Sequence, residues 1–287
     1  MNYTVTSVVG SHVGAVRYNH EDNYLLNGEH FLNQQQMRLL NDSNRTIAMK
    51  ENHCEHVHRI ICSVADGMGG YQAGDVASLV TVQLLKQSQR TIIESNNFQK
   101  TIQHYQDFLN LLNNHVLKLS NANSLYEEMG STLTTLLLHE GQVAIISLGD
   151  SSGYVFSPLT GLTKLTVEQN YGQILLNRHA IVPSQLDEIP DYKHLTKYIG
   201  MEHFEQYIEG HVSSIIEIEK EKLFLLCSDG ITDHLIKEEI EEVLTQHYES
   251  KNWQAAIEAL VTLAVQKGGL DNITAMLISI VQSDDEN

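Results

Sequence analysis

Two carboxylate-glycine steps stand at the ends of apolar runs: Arg59-Ile60-Ile61-Cys62-Ser63-Val64-Ala65 leads into Asp66-Gly67-Met68-Gly69-Gly70, and Leu223-Phe224-Leu225-Leu226-Cys227-Ser228 into Asp229-Gly230. An apolar run bounded by glycine reads as a core strand, so each aspartate falls where the backbone turns sharply off a sheet. Carboxylates held rigidly there suit metal binding, although either step alone is better read as an ordinary Asp-Gly turn. Acidic residues recur beside turn chemistry in Arg17-Tyr18-Asn19-His20-Glu21-Asp22-Asn23, Gly149-Asp150-Ser151, Asp229-Gly230-Ile231-Thr232-Asp233 and Gly268-Gly269-Leu270-Asp271-Asn272. Taken singly, Asp271, Asp150 and Arg17 also read as a turn, a hairpin end and a solvated cation. Oxygen ligands in this number point to a hard cation, magnesium or manganese rather than zinc. Carboxylates that converge repel one another severely, so convergence would itself imply metal.

Several elements must position these residues. Tyr3 to Val9 alternates as a strand, and a polar stretch over 33–58 looks like a surface insertion. Within it, His53-Cys54-Glu55-His56-Val57-His58 lacks the distant partner pair of a structural zinc site and is expected to be a solvated loop. A helix over about 73–95 should carry Val76, Leu79, Val80 and Leu84 toward the core. Phe98, Ile102, Tyr105, Leu109, Leu112, Val116 and Leu119 recur at spacings of three and four and mark the buried stripe of a second helix. Strands follow at 131–138, 142–148 and 153–157, then an aperiodic region over 167–211 expected to lie outside the sheets. The chain closes as strand, helix, helix, strand at 223–228, 237–247, 253–267 and 273–281, with an acidic tail at 283–287. Antiparallel strands beside two blocks of helices predict an α+β protein, its sheets packed face to face under outer helices.

Composition narrows the partners. The sequence has 287 residues, 42% of them hydrophobic, and a formal net charge of -18, which repels phosphate backbones and anionic lipid surfaces. Nucleic-acid and membrane partners are therefore disfavoured. Three cysteines without paired spacing imply no disulfide framework, and neither a signal sequence nor a membrane-length apolar stretch is present, so the expectation is a cytoplasmic protein.

The ordered set Arg17-x-x-x-Glu21-Asp22, Asp66-Gly67-Met68-Gly69-Gly70, Gly130-Ser131-Thr132, Gly149-Asp150-Ser151, Ser228-Asp229-Gly230 and Asp271-Asn272-Ile273-Thr274 resembles the PPM family, the metal-dependent serine/threonine protein phosphatases of type 2C, in its bacterial form. The resemblance runs from about Val5 to Val281. It implies a single phosphatase domain over 1–282 with a four-layer α-β-β-α fold, a central antiparallel β-sandwich flanked by helices. It also implies two manganese or magnesium ions, with a third, weaker one. Asp66 would bridge both ions, Asp229 and Asp271 would complete the first, the Gly67 carbonyl with Glu21 and Asp22 would serve the second, Asp150 would serve the third with Asp229 and Asp233, and Arg17 would bind phosphate. The implied reaction is hydrolysis of protein phosphoserine and phosphothreonine by a hydroxide bridging the ions, in a monomer opposing a serine/threonine kinase. The 167–211 region corresponds to the family's variable flap, where substrate preference would reside.

The sequence departs from the family pattern at His20 for asparagine, Ser152 for arginine, and Glu168-Gln169-Asn170 for Asp-His-Ser. Met68 stands where another branch has a histidine proposed as general acid. His20 is expected to donate or accept a hydrogen bond behind the ligands rather than to ligate. Two alternatives remain at this point: a phosphatase-like module that binds phosphoproteins without turnover, and a two-metal hydrolase of a small phosphorylated metabolite.

Overall fold

The computed structural model describes residues 2–42, 45–69, 73–202 and 207–283. Strands β1 (Asn2–His12), β3 (Ala48–Val57), β8 (Ser152–Ser157), β9 (Gly161–Lys164), β12 (Glu221–Cys227) and β13 (Ile273–Ser283) form one antiparallel sheet in the order β3-β1-β13-β12-β8-β9. The second sheet runs β10 (His211–Val212), β7 (Gln142–Leu148), β6 (Leu133–His139), β4 (Arg59–Met68), β2 (Asp22–Leu25). Two short strands extend it: β5 (Gly130–Ser131) pairs with β4, and β11 (Ile216–Glu217) with β7.

Both apolar runs alternate between two buried faces, which is why they read as continuous rather than amphipathic. In β4, Ile60, Cys62 and Val64 enter the core between the sheets, whereas Ile61 and Ala65 face the helices α2 (Gly74–Ile93) and α3 (Phe98–Ala122). In β12, Phe224 and Leu226 face the inter-sheet core, and Leu223, Leu225 and Cys227 pack on the side of α6 (Lys237–Tyr248) and α7 (Trp253–Gln266). Three apolar layers therefore separate four structural layers, α-β-β-α.

Helix α3 buries Phe98, Tyr105, Leu109, Leu112 and Val116, with Ile102 and Leu119 half-buried beside them. Helix α2 sits one register away from expectation: Ala77, Ser78, Thr81, Val82, Leu85 and Ile92 are buried, while Val76, Leu79, Val80 and Leu84 flank them half-buried. Small residues let the helix lie close on β4, so its inner stripe is less apolar than its flanks.

The 33–58 stretch is built from regular structure. It forms helix α1 (Gln34–Asp42), whose Met37 and Leu40 plug the rim of the inter-sheet core, and edge strand β3, in register with β1 from Val5↔Cys54 to Ser11↔Ala48. The solvated loop expected at His53 to His58 is thus mostly strand, exposed on its outer face, with Thr6 Oγ1 2.9 Å from His53 Nδ1. Polar edge strands blunt self-pairing, and that polarity hid the strand in the sequence. Over 167–211, helix α4 (Tyr171–Asn177) and a 3₁₀ turn lie outside the sheets; the isolated bridge Asn170↔Leu195 is internal to the region, and Ser131↔Ile199 joins it to β5. Of the acidic tail only Ser283 is among the described residues.

Candidate active site

At one end of the sandwich β2 and β4 pair so that Asp22 lies directly opposite Asp66. Like charges at facing positions of an antiparallel pair are destabilising on their own. Behind them runs a chain of buried polar groups from the other sheet. Ser228 Oγ donates to Asp22 Oδ2 at 2.8 Å and accepts from the Thr274 N–H at 3.0 Å. Thr274 Oγ1 is 2.7 Å from Ser11 Oγ, which is 2.8 Å from His20 Nε2. His20 is fully buried, and burial, with the nearby His12, pushes its pKa down to about 3, so it is a neutral hydrogen-bonding partner behind the carboxylates.

Other partners fix the remaining loops. The Asp66 N–H donates to Thr132 Oγ1 at 3.0 Å, and the Thr132 N–H returns a bond to the Asp66 carbonyl at 2.8 Å. Asn272 accepts the Glu21 N–H at 2.6 Å and donates to the carbonyls of Val13 and Asn19 at 3.0 and 2.9 Å, clamping the Arg17–Asp22 segment to the start of β13. The Gly67 N–H donates to the Glu21 carbonyl at 3.2 Å, and the two glycines Gly67 and Gly74 meet back to back. A Cβ on Gly67 would come within 2.0 Å of the Gly74 carbonyl oxygen, and one on Gly74 within 2.7 Å of Glu21 Cδ. Gln169 brackets the turn before Asp150: its N–H donates to the Gly149 carbonyl at 3.0 Å and its Oε1 accepts the Gly149 N–H at 2.9 Å.

These segments surround a cleft of about 360 Å³ lined by Arg17, Glu21, Asp66, Gly67, Asp150, Asp229 and Asp271 among others. Seven of the nine residues expected at the site thus share one cavity; Asp22 underlies it through Asp66, and Asp233 is not among the lining residues. Arg17 Nη2 donates to Asp271 Oδ2 at 2.8 Å. Met68, Gly69, Glu128 and Thr132 form another part of the wall, and Lys193, His194, Leu195 and Tyr198 of the flap region complete it. Gly70 lies outside the described residues.

Burial raises the Glu21 pKa to about 7, with neighbouring carboxylates adding to the shift and Arg17 opposing it. Burial, then the charges of Asp22, Asp229 and Asp271, push Asp66 well above the ordinary carboxylate range. Asp229 moves the same way through burial and then Asp150 and Asp233. Asp22 Oδ1 and Asp229 Oδ1 are buried without a hydrogen-bond partner. Among the described residues no three His, Cys, Asp or Glu side chains already close around one point, so the carboxylates line the cleft rather than clasp it. Orphaned buried carboxylate oxygens and charges that repel across a strand pair are nonetheless a donor set that suits hard cations.

Sequence reasoning quoted the motifs holding Thr132, Asn272, Thr274 and Ser228 without assigning them work. For Ser228, Asn272 and Thr274 the signal was adjacency, each lying within three residues of a carboxylate, whereas Thr132 stands in a Gly-Ser-Thr motif that contains none. Gln169 was noted only as part of a departure from the family pattern and Lys193 not at all, because both act from the aperiodic 167–211 region.

Fold and cleft together define a class of protein, a four-layer sandwich with a cation-suited acidic cleft at one end and an arginine on its rim. The sequence profile described as Protein phosphatase 2C matches residues 47–264. The chain belongs to the protein phosphatase 2C family. It is 29% identical over 221 residues to the serine/threonine phosphatase stp of Listeria monocytogenes serotype 4b, covering 76% of this chain and 83% of that one. Its fold is similar to that of the S. agalactiae serine/threonine phosphatase, with a TM-score of 0.76, 22% identity, and coverage of 96% and 98% of the two chains. A solved catalytic domain of the phosphatase PstP in complex with two manganese ions gives a TM-score of 0.71 at 22% identity, covering 98% of this chain and 100% of that one.

Proposed function

We propose that this protein phosphatase hydrolyses phosphoserine and phosphothreonine esters on proteins, using two manganese or magnesium ions in the acidic cleft. The observation that carries the reading is the Asp22–Asp66 pair, stacked across β2 and β4 with an orphaned carboxylate oxygen, in a cleft that Arg17 borders. Asp66 would be shared by both ions, Asp229 and Asp271 would serve one, the Gly67 carbonyl with Glu21 and Asp22 the other, and Asp150 a third. Bound there, the ions would supply Lewis-acid polarisation and lower the pKa of water toward neutrality.

The chain's own residues do the rest. Arg17, parked on Asp271, is the cation available to take phosphoryl oxygens of an entering ester. Thr132 holds the Asp66 backbone from both sides, so that carboxylate is aimed before substrate arrives. Met68 offers no proton at the cleft wall, which leaves protonation of the departing alkoxide to water or to another group of the cleft.

Hydrolysis of a phosphothreonine peptide with manganese, with chelator, and by Asp66→Ala tests the reading. Activity should vanish with chelator and fall by about 10³-fold or more in the variant. Turnover indifferent to both, or confined to small phosphorylated metabolites, would overturn it. We further place the enzyme in the cytoplasm as a monomer opposing a serine/threonine kinase. The net charge of -18, which repels anionic lipid surfaces, supports the cytoplasmic placement, and the kinase and the monomer follow from the family resemblance.

A further inference from the structure

The outer end of the cleft holds a cation of the chain's own. Lys193 Nζ donates to Asp233 Oδ2 at 2.5 Å. Asp233 follows the short helix α5 (Asp229–Thr232), and its N–H donates to the Asp229 carbonyl at 2.8 Å, which puts it one helical turn beyond Asp229. Lys193 lines the same cavity as Asp150 and Asp229. The lysine rides on a flap turn in which the His194 N–H donates to the Asp191 carbonyl at 2.8 Å. The neighbouring backbone bonds run to the first turn of α4, from the Gly172 N–H to the Tyr192 carbonyl at 2.7 Å and from the Tyr171 N–H to the His194 carbonyl at 2.9 Å. Apart from those bonds to α4, the Lys193–Asp233 pair ties the turn across the cleft to the opposite wall.

We propose that Lys193 is a positioning residue, a tethered counter-ion that holds the flap turn over the outer carboxylates and competes with a divalent cation for the Asp150–Asp233 end of the cleft. This rests on the cation-dependent reading above. An ammonium is a compact point charge, and here it is bonded to Asp233 and shares the cavity with Asp150 and Asp229, two carboxylates whose charges act on each other. Burial works against its charge, but the bond to Asp233 and the charges of Asp233 and Asp229 hold its pKa above the ordinary lysine value. The pair is half-exposed, with side-chain exposures of 47% and 30%, so it is displaceable rather than locked. Competition for one carboxylate set is a linkage: the lysine weakens outer-cation binding by the same factor by which that cation loosens the turn.

The test is manganese titration of wild type, Lys193→Met and Lys193→Arg, read by the free-ion paramagnetic signal, with amide exchange of the 191–199 backbone followed in parallel. Lys193→Met should bind the outermost manganese equivalent about tenfold more tightly than wild type, with faster exchange in that turn without metal, and Lys193→Arg should behave as wild type. Unchanged outer affinity and unchanged exchange in Lys193→Met would overturn the proposal while leaving the two inner equivalents and the phosphatase reading intact. A wild type that binds no manganese would overturn both. Melting curves of the three proteins establish that each is folded when titrated.

Discussion

Ser228 shows how much of this site is decided by residues that touch no substrate. Its hydroxyl is donor to Asp22 and acceptor from Thr274, so the one oxygen joins the end of β12 to a carboxylate of β2 and to β13. Ser228→Ala removes that bond and leaves a buried N–H without a partner, at a cost of about 1–3 kcal/mol. It also frees Asp22 to turn, and the loss of such a supporting partner weakens metal binding by about 10–100-fold. The expected outcome is a lower melting temperature together with weaker manganese binding; a drop in melting temperature with unchanged affinity would assign Ser228 to folding alone. The carboxylates themselves were legible only as an ordered set: Asp66 and Asp229 singly read as ordinary Asp-Gly turns, and it is six motifs in order along the chain that single them out. Hydroxyls and amides such as Ser228, Thr132 and Asn272 were not, since serine, threonine and asparagine populate every turn and only the fold reveals which oxygen faces which strand. His20 was readable in part: hard-cation chemistry argued against ligation, and its burial with a bond to Ser11 gives it the supporting place expected.

At the scale of elements, the site depends on how closely α2 begins beside β4. Gly67 is the last residue but one of β4 and Gly74 opens α2, and the space between them admits no side chain. Gly67→Ala would drive a methyl into the Gly74 carbonyl and, at 2.7 Å, the Glu21 carbonyl. Neither contact is the flexible end of a side chain, so relief requires moving the helix start or the Glu21 backbone. Overpacking of this kind costs about 3 kcal/mol or more. Displacing Glu21 should lower kcat with a small aryl phosphate as much as with a phosphopeptide, because the damage is at the acidic cleft; an enzyme of wild-type activity and melting temperature would contradict the packing. Strongly patterned elements were readable: α3, α6, α7 and β13 fall within a few residues of their predicted bounds because each buries a periodic apolar face. The 48–57 strand was not, because an edge strand with a solvated outer face carries charges and histidines where a central strand carries valine. Helix α2 misled in a different way, because the first half of its buried stripe is Ala77, Ser78 and Thr81, which hydropathy undervalues, and only Val82, Leu85 and Ile92 continue it as large apolar residues.

Over the whole molecule, the sandwich spends stability to gather like charges at one end. Glu21, Asp22, Asp66, Asp150 and Asp229 all have pKa values raised above the ordinary range, burial being the first cause in each. A carboxylate whose folded pKa is raised binds its proton more tightly in the folded state, so its stabilising contribution is complete below the unfolded value and is lost as pH rises through the folded one. For Glu21 that window runs from 4.5 to about 7. Without metal, the protein should therefore lose stability as pH rises through the neutral range. Burial lowers the pKa values of His12, His20 and His139, which act in the opposite sense, but they do so with and without metal. The difference between melting temperatures in manganese and in chelator isolates the cleft. That difference should widen from pH 5.5 to pH 8 by on the order of 5 °C, since cations bind the ionised carboxylates and replace the protons that stabilise the metal-free form. A metal increment independent of pH, or one that shrinks as pH rises, would mean that these carboxylates are not the groups that hold the cations.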